Sequence, residues 1–164
     1  MMKLWIICGI LVLKAGKIMD FKINYKVKQF NNMLCEIDSV YQKLLSTKNI
    51  SDSEYSIIFA ILSLGEGCLQ KDISTISHIS KKTVNSTIKK FEREELIRLK
   101  AGKYPNMHIY LSPKGKKYIK EDVLPILEAE NNFMESIPDD EFDLFLELYS
   151  KYIQKFKEQI NPSK

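Results

Sequence analysis

SKKTVNSTIKKFEREEL, Ser80 to Leu96, decides how the chain reads. Apolar residues at Val84, Ile88 and Phe91 have the spacing of an amphipathic helix. The first half, however, is loaded with Ser, Thr and Asn, which favour caps and turns over helix interiors. On a helical wheel with Val84 at zero, Ile88 and Phe91 fall within about 40°. Lys82, Ser86, Lys89 and Arg93 fall at about 140° to 200°, flanked by Asn85 and Lys90. One edge is built to pack. The other presents short hydrogen-bonding groups near the helix start and cations along its length, which suits a helix entering the major groove of DNA N-terminus first.

The neighbouring segments support this expectation. Ser80 is a good N-cap, and a short helix over Gln70–Ser77 precedes it across His78-Ile79-Ser80, so the pair reads as a helix-turn-helix. Upstream, Ser51 with Glu54 makes a capping-box signature for a helix from Asp52 to Leu64, ended by Gly65-Glu66-Gly67. Downstream the period changes to two. Ile97 and Leu99, a polar turn with Gly102, Pro105 and Asn106, then Ile109 and Leu111 predict a β-hairpin. Arg98, Lys100 and Lys103 on that hairpin make it a basic wing over 98–111, able to reach phosphates or the minor groove.

Two long apolar stripes flank this centre. From 20 to 46 the stripe includes Phe30, Leu34 and Ile37. In the tail PDDEFDLFLELYSKYIQKFKEQI it includes Phe145, Tyr149, Tyr152 and Phe156. Ser112-Pro113 opens a further helix that Pro125 must kink or interrupt. The fold class expected is mainly α with a small β-hairpin.

Charge agrees with a polyanionic partner for the middle of the chain. Residues 69–120 hold 13 Lys/Arg against 4 Asp/Glu, a balance of +9, whereas 121–164 hold 4 against 11, a balance of −7. The chain has 164 residues, the size of one domain. Cys8, Cys35 and Cys68 are too scattered for a disulfide framework, so a cytoplasmic setting is the expectation, with Cys35 read as a buried structural thiol. The apolar run Leu4–Leu13 is too short to span a bilayer, which takes about 20 residues. Residues 1–18 are therefore expected to lie outside the fold as an N-terminal extension, and no membrane association is expected. An enzyme reading lacks support: there is no Gly-rich phosphate loop or nucleophile elbow, and the only histidines are His78 and His108, the latter read as a strand surface residue. No cofactor and no metal site are read from the spacing.

Here a resemblance becomes specific. Ser80, Thr83, Val84, Ile88, Glu92, Leu96 and Ile97, followed by Leu111-Ser112 and Gly115, resemble the pattern of the MarR family of bacterial transcription regulators over about 20–160. Phe91 stands where that pattern has Leu, Glu95 where it has Gly, and the wing lacks the family's Asp-x-Arg tip. The resemblance implies one domain over 19–161, with a winged helix-turn-helix at 51–112 and long dimerisation helices at 20–47 and 113–160. It implies a homodimer binding inverted-repeat double-stranded DNA, most simply as a repressor, with helix 81–95 as the recognition helix. The DNA-binding candidates are Ser80, Lys82, Thr83, Asn85, Ser86, Lys89, Lys90, Arg93, Lys100 and Lys103. The dimerisation candidates are Phe30, Leu34, Ile37, Phe145, Tyr149, Tyr152 and Phe156. A small aromatic effector is also implied, with Tyr41, Tyr55, Phe59 and Tyr118 either lining its space or serving as core. The alternative is a winged-helix module that binds protein instead of DNA.

Overall fold

A computed structural model describes residues 22–102 and 107–161. Its elements are α1 (Tyr25–Ser46), α2 (Asp52–Leu64), β1 (Cys68–Leu69), α3 (Gln70–Ser77), α4 (Lys81–Arg93), β2 (Ile97–Ala101), β3 (Met107–Leu111), α5 (Pro113–Tyr118), a π-helical turn (Ile119–Val123), α6 (Leu124–Glu135) and α7 (Asp139–Ile160). The chain divides into two compact units, with the boundary between Leu124 and Pro125.

The first unit is a helix-turn-helix with a three-stranded antiparallel sheet of order β1-β3-β2. Its core is aliphatic: Leu45, Ile57, Ile73, Val84, Ile88, Ile109 and Val123 are essentially fully buried. Each such side chain contributes roughly 1.5–3 kcal/mol relative to exposure. The hairpin register pairs Ile97 with Leu111 and Leu99 with Ile109, so the alternation read from the sequence stands. The strand β1 was not expected. It pairs Cys68 with Ile109 and Leu69 with His108, and a two-residue strand is too short to leave a periodic signal.

Local hydrogen bonds place the boundaries. The capping box at α2 is formed, with Ser51 N donating to Glu54 Oε2 at 3.0 Å and Glu54 N donating to Ser51 Oγ at 3.3 Å. Ser80 and Ser112 cap α4 and α5 through Thr83 N and Gly115 N. The first helix starts at Tyr25, not 20, because the Asn24 side chain caps it by accepting from Lys26 N at 2.9 Å. Residues 1–18 lie outside the described residues.

The interruption tied to Pro125 falls upstream of it. Leu124 N donates to Ile119 O in the π-helical register. Pro125 has no N–H for the carbonyl four residues back, that of Glu121. Lys48 Nζ supplies a donor to that carbonyl at 3.1 Å and pairs with Asp122 at 3.2 Å. The segment 113–160, expected to hold a helix interrupted at Pro125 and a tail helix, is thus α5, a π turn, α6 and α7, with a break at Ser136–Pro138. Among the described residues, no helix is long and apolar enough to cross a membrane.

The second unit holds most of α6 and all of α7, and α7 has no buried residue along its 22 positions.

Candidate nucleic-acid interface

The packing of α4 fixes which residues it can offer to a ligand. Val84, Ile88 and Phe91 are buried, and so is Thr87, which the wheel reading did not single out. The poor helix formers Thr83, Asn85, Ser86 and Thr87 cost roughly 0.5 kcal/mol each in propensity. Burial of the three apolar side chains outweighs this by several kcal/mol, at about 2 each. Tertiary packing therefore holds the helix, leaving its outer face free to be chosen for other ends.

That outer face is exposed at Lys82, Asn85, Ser86, Lys89 and Arg93, with Lys81 exposed beside the packed edge, Ser80 exposed at the cap and Thr83 half-buried. Two hydroxyls are tied inward: Ser86 Oγ donates to Thr83 O at 2.9 Å, and Ser80 Oγ lies 2.9 Å from Thr83 Oγ1. Among the described residues Lys81, Lys82, Lys89 and Arg93 have no carboxylate partner. Lys90 differs from them. Its Nζ donates to Glu54 Oε1 and lies 3.9 Å from Glu94 Oε1, so its ammonium joins α4 to the N-terminus of α2. Partial burial works to raise the Glu54 carboxyl, but the bonds from Lys90 and Ser51 outweigh it and hold the group below its ordinary 4.5. The Glu54 bond in turn raises Lys90.

The helix ends at Arg93, two residues before the expected Glu95. Glu95 adopts φ 60, while its N–H donates to Glu92 O and that of Leu96 to Phe91 O, both close to 2.9 Å. This is a Schellman motif with a non-glycine residue in the left-handed position. The sequence signal for the stop was missing because glycine was missing. Immediately beyond, Ser112 N donates to Leu96 O at 3.0 Å and Ser112 Oγ donates to Glu95 O. Gly115 sits against Leu96, and a Cβ there would lie 1.9 Å from the Leu96 carbonyl oxygen. The end of α4, the base of the hairpin and the start of α5 are thereby locked together.

The wing rises from that base. Arg98 and Lys100 are exposed, and Lys100 Nζ lies 4.6 Å from the centroid of Tyr110, a cation–π contact that stiffens it. Lys103 lies outside the described residues. His108 is half-buried, not a surface residue: its Nδ1 is 2.6 Å from Gly67 O, and because a carbonyl only accepts, Nδ1 carries the hydrogen. Gly67 N donates to Ile109 O at 2.7 Å, which completes the anchor of the wing.

The other sequence candidates are placed unit by unit. On α1, Phe30 and Leu34 are half-buried and Ile37 is 46% exposed. On α7, Phe145, Tyr149, Tyr152 and Phe156 are all exposed, and with Phe142 they stack in series at centroid spacings of 5.8–6.5 Å. Their spacing alternates three and four residues, that of a helix–helix seam. Of the effector candidates, Tyr55 is buried, Tyr41 and Tyr118 are half-buried and Phe59 is exposed. Burial, with Glu54, Asp122 and Glu94 nearby, pushes the Tyr118 hydroxyl up to about 12. A cavity lined by Ile58, Phe91, Leu96 and Tyr118 holds about 10 Å³, room for one water and no aromatic ring. Cys35 is half-buried and disulfide-bonded, so it is not the buried free thiol the sequence suggested. Cys68 is buried, which pushes its thiol up, away from reactive thiolate.

No protein-family model and no curated protein matches the chain. Solved structures do. NMB1585, a MarR family regulator from Neisseria meningitidis, superposes with a TM-score of 0.73 at 17% identity, covering 87% of this chain and 100% of that one. A MarR/EmrR family transcriptional regulator from Acinetobacter sp. ADP1 gives 0.64 at 22% identity, covering 83% and 99%. MepR from Staphylococcus aureus, solved as a complex with DNA, gives 0.61 at 17% identity, covering 82% and 99%. The chain has the winged-helix fold of these regulators.

Proposed function

We propose that this chain, with the fold of MarR-family regulators, is a cytoplasmic, sequence-specific DNA-binding transcription regulator and not an enzyme. It acts as a homodimer on an inverted-repeat operator, as a repressor, with α4 in the major groove and the wing on the backbone or minor groove. The observation that carries the reading is the outer face of α4. Three cations without carboxylate partners among the described residues, Lys82, Lys89 and Arg93, and one free amide share it, opposite a fully packed inner edge. An ordinary solvated helix face would neutralise its lysines with glutamates three or four residues away. The solved complex of MepR with DNA supports the reading by likeness of fold.

Dimerisation is supported by α7, which leaves Phe145, Leu148, Tyr152 and Phe156 exposed and has no buried residue of its own. So much contiguous apolar surface on a water-soluble helix marks an interface. Two copies related by a two-fold axis would present two α4 helices to half-sites roughly 34 Å apart, which is why the operator is an inverted repeat. The test is to select duplexes from a random pool with the full chain and measure stoichiometry on the enriched sequence. The reading expects two chains per inverted repeat and weaker binding to a lone half-site. Enrichment of no sequence, together with capture of no duplex at low salt, would leave the protein-binding alternative in its place.

A further inference from the structure

The outer face of α4 is chemically uneven. Lys82, Lys89 and Arg93 can only donate hydrogen bonds. Ser86 has committed its hydrogen to Thr83 O, and Ser80 and Thr83 are engaged with each other. Asn85 is exposed and has no hydrogen-bond partner among the described residues. It is therefore the side chain on this face that can donate and accept side by side in one plane. It also sits one turn into the helix, in the half that meets base edges when a recognition helix enters the groove by its N-terminus.

The major-groove edges of the bases discriminate between these groups. Adenine presents the N7 acceptor beside the N6 amino donor, which an amide matches with two hydrogen bonds. Guanine presents two acceptors, N7 and O6, which suit a lysine and would set the amide carbonyl against O6. Resting on the DNA-binding reading above, we infer that Asn85 reads an adenine through N6 and N7 in each operator half-site, and that Lys89 reads a guanine one to two base pairs away. The spacing follows from the helix. Four residues advance about 6 Å along the axis, and base steps are about 3.4 Å apart.

The experiment uses the full chain and the duplex it selects. Each adenine of one half-site is replaced in turn by 7-deazaadenine, which keeps base pairing and puts carbon in place of N7. For the wild type, one adenine should be sensitive, with a loss of about 5- to 150-fold in Kd. Asn85→Ala should show a comparable loss on natural DNA and no further loss on the 7-deaza duplex. Asn85 is exposed, so the variant should fold, which far-UV circular dichroism and unchanged affinity for scrambled DNA check. Asn85→Gln, which keeps the amide one carbon further out, should retain part of the sensitivity. An absence of any sensitive adenine, or sensitivity that persists in Asn85→Ala, overturns the inference while leaving DNA binding standing. Failure of the wild type to enrich any sequence overturns this inference, and failure to capture any duplex at low salt as well overturns the DNA-binding reading with it.

Discussion

Gly115 lies so close to Leu96 that a Cβ on it would stand 1.9 Å from the Leu96 carbonyl oxygen. The neighbour is backbone, and that carbonyl also accepts from Ser112 N, so nothing there can yield cheaply. Gly115→Ala is expected to destabilise the protein by about 3 kcal/mol, at the upper end for overpacking. Urea unfolding at fixed protein concentration checks this: the midpoint should fall while the slope stays constant. An unchanged midpoint would mean that the end of α4 and the start of α5 are not locked as described.

Glu95 makes the opposite case. It holds φ 60 at the end of α4, a conformation that costs an L-residue roughly 1–2 kcal/mol. Its side chain is exposed and reaches Lys114 only at 3.9 Å, a contact worth little. Glu95→Gly removes the strain and gives back about 0.5–1 kcal/mol through the freer unfolded chain. A net gain of up to about 1 kcal/mol is expected, read as a higher thermal midpoint.

The tie between Glu54 and Lys90 gives a pH dependence. The Glu54 carboxyl is held below its ordinary 4.5, so its contribution is present above that value and lost as pH falls through the lowered one. Glu54→Gln should cost about 1 kcal/mol at pH 7, the net worth of a charge-assisted bond at a partly exposed site. The difference from wild type should shrink as the pH drops from about 5 to 3. A gap of constant size across that range would show that the pair does not titrate with stability.

The aromatic series on α7 can be altered without touching a core, since nothing on that helix is buried. Phe145→Lys with Tyr152→Lys should leave helicity intact and shift the protein to monomer in sedimentation velocity at micromolar concentration. Wild-type protein that sediments as a monomer under the same conditions would contradict the dimer outright.

How much of this was legible in the sequence depended on how local the cause was. The caps at Ser51, Ser80 and Ser112 and the face of α4 were legible because a hydroxyl meets an amide three residues away and apolar spacing follows the helical period. Non-local causes were not. Lys90 reads as an outward cation until Glu54, 36 residues earlier in the chain, takes its charge. The helix stop at Glu95 carried no glycine, β1 was too short to show a period, and the effect of Pro125 surfaced upstream of it, at a π turn completed by Lys48. Gly115 was legible only as part of a motif, and its reason is a backbone contact made by the fold.

The most direct test of the central claim, that the outer face of α4 meets nucleic acid, is duplex binding across a salt series, read by fluorescence anisotropy. Wild type should bind with log K falling linearly against log salt, by about 0.9 for each phosphate neutralised. Lys82, Lys89 and Arg93 are exposed and without carboxylate partners among the described residues, so their joint replacement by Ala should leave the fold intact. It should also flatten that slope by about two to three units. A triple variant with the wild-type slope, or a wild type that binds no duplex even at low salt, would contradict the account.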